Sequence, residues 1–114
     1  MFNFFKKPSI HERLNKHIDK NIKTVFNSLN DKEIEDGTGY TKDEIKNMNR
    51  STFKKFIKRF ADAVKRFVQW LINKGIIVHE YIKNMDKTLT AIANIIKGTA
   101  QLLKIYFQNK KKNA

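Results

Sequence analysis

Few side chains in this 114-residue chain could do chemistry, and their spacing limits what they can do. The histidines are His11, His17 and His79. His11 and His17 stand six residues apart, which puts them on different faces of a helix. No His-x-x-x-His or Glu-x-x-His pair offers a metal two ligands on one face. In "DGTGYTKDE" (36–44), Asp36 and Gly37 fit the fifth and sixth positions of a calcium loop. The first and third positions would then be Lys32 and Ile34, and neither side chain ligates calcium. The same glycines do not make a phosphate loop, because no Gly-Lys-Ser/Thr follows, and no Gly-x-Ser-x-Gly elbow occurs. The chain has no cysteine, which excludes disulfides, cysteine-ligated zinc and a thiol nucleophile, and fits a reducing compartment. The residues therefore point to a non-enzymatic protein, with no cofactor, no metal and no small-molecule substrate.

What remains is positive charge. The chain holds 24 Lys and Arg against 11 Asp and Glu, a formal net charge of +13. Such an excess seeks polyanions: nucleic acid, anionic lipid or an acidic protein face. The charge is uneven. Residues 31–49 carry −3, residues 50–75 carry +7, and the tail "NKKKNA" (109–114) carries +3. The acidic segment is either a solvated loop or a mask folded back on the basic one.

The basic segment is "FKKFIKRFADAVKRFVQWLINKG" (53–75). On a helical wheel of about 100° per residue, Phe53, Phe56, Ile57, Phe60, Ala61, Ala63, Val64, Phe67, Val68 and Leu71 share one half. Lys54, Lys58 and Lys65 lie on one side of the other half, Lys55, Arg59 and Arg66 on its other side, with Asp62 between. Trp70 sits at the boundary. An oily sector, cations along its border and a marginal tryptophan are the features of a helix lying on an anionic bilayer. The N-terminal Phe2, Phe4, Phe5, Lys6 and Lys7 form a second, weaker anchor of the same kind, and two weak anchors can hold together what neither holds alone. The favoured reading is a cytoplasmic accessory protein, peripheral at the inner face of the membrane. It requires the oily sector to be at least partly available to lipid.

The alternatives use the same residues. The lysines and the tail could track phosphates without sequence preference, although the polar face offers only two arginines for reading bases, and its aromatics point the other way. The helix could also enter an acidic groove of a partner, or self-associate, as an assembly module of the immunity, secretion, plasmid or phage accessory type. The plainest reading is a bundle helix whose lysines are a solvated outer face.

These residues must be positioned by helices. Ser9 and Glu12 make a capping box for a helix near 9–30, with Ile10, Leu14, Ile18, Ile22, Val25, Phe26 and Leu29 on one face. Residues 30–40 read as a break, with a turn at Asp36, Gly37 and Gly39. Thr41 and Glu44 box a short helix near 41–49, and Ser51 is a cap for the basic helix near 51–73. A last helix near 77–108 carries Val78, Ile82, Met85, Leu89, Ile92, Ile96, Thr99, Leu103 and Tyr106. A second seam, Ile95 and Leu102, suits the centre of a bundle, and Gly98, Thr99 and Ala100 would permit close approach by a neighbour. The two last stripes are in phase across Gly75. One continuous helix would run about 85 Å, and a hairpin 51–108 buries more and is preferred. The reading is an all-α protein: a small bundle of three to four amphipathic helices, residues 9–108 forming one domain between an amphipathic tail (1–8) and a basic tail (109–114). The apolar runs "FVQWLIN" (67–73) and "TLTAIANII" (88–96) fall well short of the roughly 20 residues of a spanning helix. "MFNFFKKPS" is no secretory signal.

Overall fold

The computed structural model describes residues 9–77 and 84–112. The expected positions Val78, His79 and Ile82 and the tail 1–8 lie outside these residues. The described residues form six helices and no strand: α1 (Ile10–Asn27), α2 (Asp31–Thr38), α3 (Lys42–Lys46), α4 (Arg50–Asn73), α5 (Met85–Gly98) and α6 (Ala100–Lys112). The protein is a small all-α bundle.

Side-chain caps set most of the boundaries. The Ser9 hydroxyl accepts from the Glu12 amide at 3.1 Å, and the Glu12 carboxylate accepts from the Ser9 amide at 3.2 Å. Thr41 and Glu44 repeat the box at α3. The cap of α4 is Asn49 rather than Ser51: its Oδ1 accepts from the Thr52 amide at 2.8 Å, and Ser51 falls within the first turn. Inside α1 the backbone kinks at Asn21 (φ −113°, ψ 15°), where the side-chain amide donates to the His17 carbonyl at 2.9 Å.

The supposed break at 30–40 is a helix. Asn30 and Glu33 box its start at 2.8 Å in both directions. Gly37 lies inside α2 and is buried against α6, where a Cβ would stand 3.4 Å from Leu103 Cδ2 and 3.8 Å from Ala100 Cβ. Gly39, at φ 81°, is the left-handed residue that ends the helix. The close approach expected around Gly98 is thus made by Ala100 against Gly37, while Gly98 has open space where a Cβ would be.

The long apolar phase does not produce one rod. After α4, Gly75 turns left-handed (φ 76°). Its amide donates to the Ile72 carbonyl, and that of Ile76 to the Leu71 carbonyl, which is the double closure of a Schellman motif. The returning limb is itself divided. Thr99 leaves the helical region (φ −137°, ψ 37°), and its hydroxyl donates to the Ile95 carbonyl at 2.6 Å. The limb therefore bends between α5 and α6.

α4 lies between α1 and α6, α2 covers α6, and α5 bridges α1 and α6. Phe107 meets Phe56 with ring centroids 5.5 Å apart, whereas its neighbour Tyr106 meets Phe67 at 6.1 Å. Those two phenylalanines are about three turns apart along α4, so α6 meets α4 at well-separated points along its length. The core takes the expected faces of α1 and α4. Leu14, Ile18 and Val25 of α1 and Phe60, Val64, Phe67 and Leu71 of α4 are almost wholly enclosed, with Ile92, Ile96, Leu103 and Phe107 from the returning limb.

Candidate functional site

α4 is a one-sided cylinder, and the fold consumes most of its oily side. Nine residues from Phe56 to Leu71 are buried. Phe60 and Phe67 are completely enclosed and Phe56 is 3% exposed. The stripe expected to be open to lipid is the wall of the core, because α1 and α6 close on it from either side. Two of its members remain partly open: Phe53 at one end and Trp70 at the other, both half-buried.

The cationic side divides in two. Lys65 is held: its Nζ lies 2.7 Å from Asp19 Oδ1 and 3.8 Å from Asp62 Oδ1, tying α4 to α1. Arg59 is turned inward toward α6. Its guanidinium carbon sits 4.4 Å above the Phe107 ring, and Nη2 donates to the Phe107 carbonyl at 3.5 Å. In this geometry the ring's negative face attracts the cation. By contrast, Lys54, Lys55, Lys58 and Arg66 are exposed and take part in no ion pair among the described residues. They form a broad ridge about 18 Å long, with Lys54 and Lys58 on its α1 side and Lys55 and Arg66 on its α6 side. No carboxylate of 31–44 pairs with it among the described residues; Asp31 pairs instead with Lys42 at 3.2 Å.

Trp70 stands next to Arg66 at the α6 edge of this ridge. It stacks on Phe67 with centroids 6.1 Å apart and planes 13° apart, and is half-buried. Arg66, one turn before it on α4, and Lys74, at the cap just past the helix end, are both exposed. No family model, curated protein or solved structure matches this chain.

Phe2, Phe4, Phe5, Lys6 and Lys7 lie outside the described residues. His17 is half-buried on α1, with Nε2 3.3 Å from Asp86 Oδ1 at the start of α5 but without an aligned hydrogen bond. Among the described residues no three His, Asp or Glu side chains gather as a metal site, and no helix is long and apolar enough to cross a membrane. The stretch 36–44 that resembled half a calcium loop is the end of α2 and the start of α3.

Sequence reasoning missed two residues here. Leu102 and Ile105 on α6 are 38% and 52% exposed, beside Trp70 and the half-buried Tyr106. The spacing puts Leu102 with Ile95 on a second seam at the centre of the bundle. In the fold Ile95 is only half-buried and Leu102 is exposed, while its neighbour Leu103 is completely enclosed. The apolar face of the last limb is wider than its partners can cover, and that width was the available signal.

Proposed function

We propose that this protein is a non-enzymatic accessory protein that binds an anionic membrane surface reversibly, from the cytoplasmic side. The observation that carries this reading is the half-open Trp70 at the margin of α4, bracketed by exposed Arg66 and Lys74. Tryptophan is favoured at the headgroup level, where its ring is apolar and its N–H can stay wet. Cations beside it meet lipid phosphates and carboxylates, each contributing about 1 kcal/mol near an anionic surface. The ridge of Lys54, Lys55 and Lys58 extends the same field along α4. Phe2, Phe4, Phe5, Lys6 and Lys7 have the composition of a second anchor.

Nonspecific nucleic-acid binding is the rival, because the ridge would follow phosphates equally well. The burial of Phe56, Phe60 and Phe67 weighs against it for single strands, since enclosed rings cannot stack on bases. Vesicle sedimentation beside gel shifts on duplex DNA and RNA, at low and physiological salt, separates the two. Membrane binding predicts pelleting with anionic but not neutral vesicles, weakened by Trp70→Ala. A shift of nucleic acid that is lost on neutralising Lys54, Lys55 and Lys58, yet indifferent to Trp70, would replace the membrane reading.

A further inference from the structure

We infer that α6 supplies the other half of the lipid contact: Leu102 and Ile105 enter the bilayer interface beside Trp70, so that the docking surface is a two-helix platform rather than the single helix α4. This inference rests on the membrane reading and gives that surface its chemistry.

Leu102, Ile105 and Ile76 are the large apolar side chains that stand exposed among the described residues. The first two line one shallow groove with Phe67, Trp70 and Tyr106, which is thus an apolar patch rather than scattered side chains. A contiguous apolar patch rimmed by polar residues marks an interaction surface. The sequence around it selects the occupant. Arg66 and Lys74 flank Trp70 in the chain and Lys104 stands between Leu102 and Ile105, and the sequence has no carboxylate from Ala63 to Ile77 or from Lys87 to Lys112. A second copy of the chain would bring cations against cations, which is repulsive. A bilayer containing anionic lipid offers acyl chains to Leu102 and Ile105 and negative headgroups to Arg66, Lys74 and Lys104. Lysine and arginine there can lay their stems along the apolar patch and lift their charges to the headgroups.

The fold sets the depth of this contact. Phe67 is completely enclosed beneath Trp70, so the indole rests on a rigid floor, and Leu103 and Phe107 pin the opposite side of α6 to the core. The platform is therefore preformed and binds without unfolding the bundle.

The chain contains a single tryptophan, so its emission reports on this surface alone. The full chain is titrated with phosphatidylcholine vesicles, with and without phosphatidylserine, whose acyl chains carry bromine as a quencher. The wild type is expected to show a blue shift and quenching only with phosphatidylserine present. Ile105→Ser, and Leu102→Ser with Ile105→Ser, change exposed side chains and are checked for native helicity by circular dichroism. Both are expected to lose the quenching and to bind about tenfold or more weakly at physiological salt, while still pelleting at low salt through the cations. Wild-type quenching that both variants retain would overturn the two-helix platform and leave the membrane reading standing. Failure of the wild type to pellet at any salt would overturn the membrane reading itself. A wild-type dimer converted to monomer by Ile105→Ser would assign the patch to a second copy and overturn the inference.

Discussion

The two ends of α4 are built from the same kinds of residue and meet different fates. Near its start, Phe56 joins Phe26, Tyr40, Phe60 and Phe107 in an enclosed aromatic cluster with the half-buried Phe53 stacked at its edge, centroids lying between 5.3 and 6.4 Å apart. Near its end, Phe67, Trp70 and Tyr106 form a smaller cluster that opens to solvent beside Leu102 and Ile105. The difference lies in what covers them. At the first end the acidic α2–α3 segment passes over the junction of α4 and α6 and inserts Tyr40 against both Phe56 and Phe107. At the second end the sequence has no carboxylate from Ala63 to Ile77 or from Lys87 to Lys112, and α4 stops at the left-handed Gly75. One end is thus a core with a cationic coat. The other is an apolar patch with a cationic rim, and only the second has the features of a docking surface.

The largest way to break the comparison is to hollow out what both ends share. Phe60→Ala and Phe67→Ala should each lower unfolding free energy by about 3–5 kcal/mol, measured by urea denaturation, because both rings are completely enclosed. Trp70→Ala should cost about 1 kcal/mol, the loss of one stacking partner. If Trp70→Ala destabilised as much as Phe67→Ala, the open end would be part of the core after all.

Tyr40→Ala should uncover the closed end. The expected loss is about 1–2 kcal/mol for two edge contacts, with new binding of a hydrophobic dye that the wild type lacks at this site. Gly75→Ala probes the turn beside the open end. Nothing lies within 4 Å of the added Cβ, so the cost is conformational alone, about 1–2 kcal/mol for a left-handed alanine. A neutral result would mean that the chain can leave α4 by another backbone path.

The smallest effect sharpens the division of cations into held and available. Asp19→Asn removes the carboxylate nearest Lys65. Stability should fall by less than about 1 kcal/mol, as for a partly exposed pair, and vesicle binding should strengthen slightly as Lys65 becomes available to lipid.

The sequence made α1 legible through its Ser9–Glu12 box and its apolar period, α3 through the Thr41–Glu44 box, and α4 through the half-wheel from Phe53 to Leu71, although the cap of α4 is Asn49 and not the expected Ser51. The helix α2 was hidden by Gly37 and Gly39. Two glycines so close together read as a turn, yet one is needed where α2 meets Ala100 and Leu103, and only the other ends the helix. The Asn30–Glu33 box was its local signal. The site was half legible. The marginal place of Trp70 follows from the wheel, because α4 is regular. The inward turn of Arg59 and the hold on Lys65 depend on Phe107 and Asp19, which are 48 and 46 residues away in the chain. Exposure of Leu102 and Ile105 depends on how α6 packs against α2 and α4 after the bend at Thr99, which a single-helix period does not record.

The most direct test of the central claim is the emission of Trp70 at physiological salt as phosphatidylserine-containing vesicles with brominated chains are added. The account predicts a blue-shifted, quenched indole with these vesicles and an unchanged one with neutral vesicles. An indole whose emission is the same in both, in a protein that nevertheless shifts duplex DNA, would contradict it.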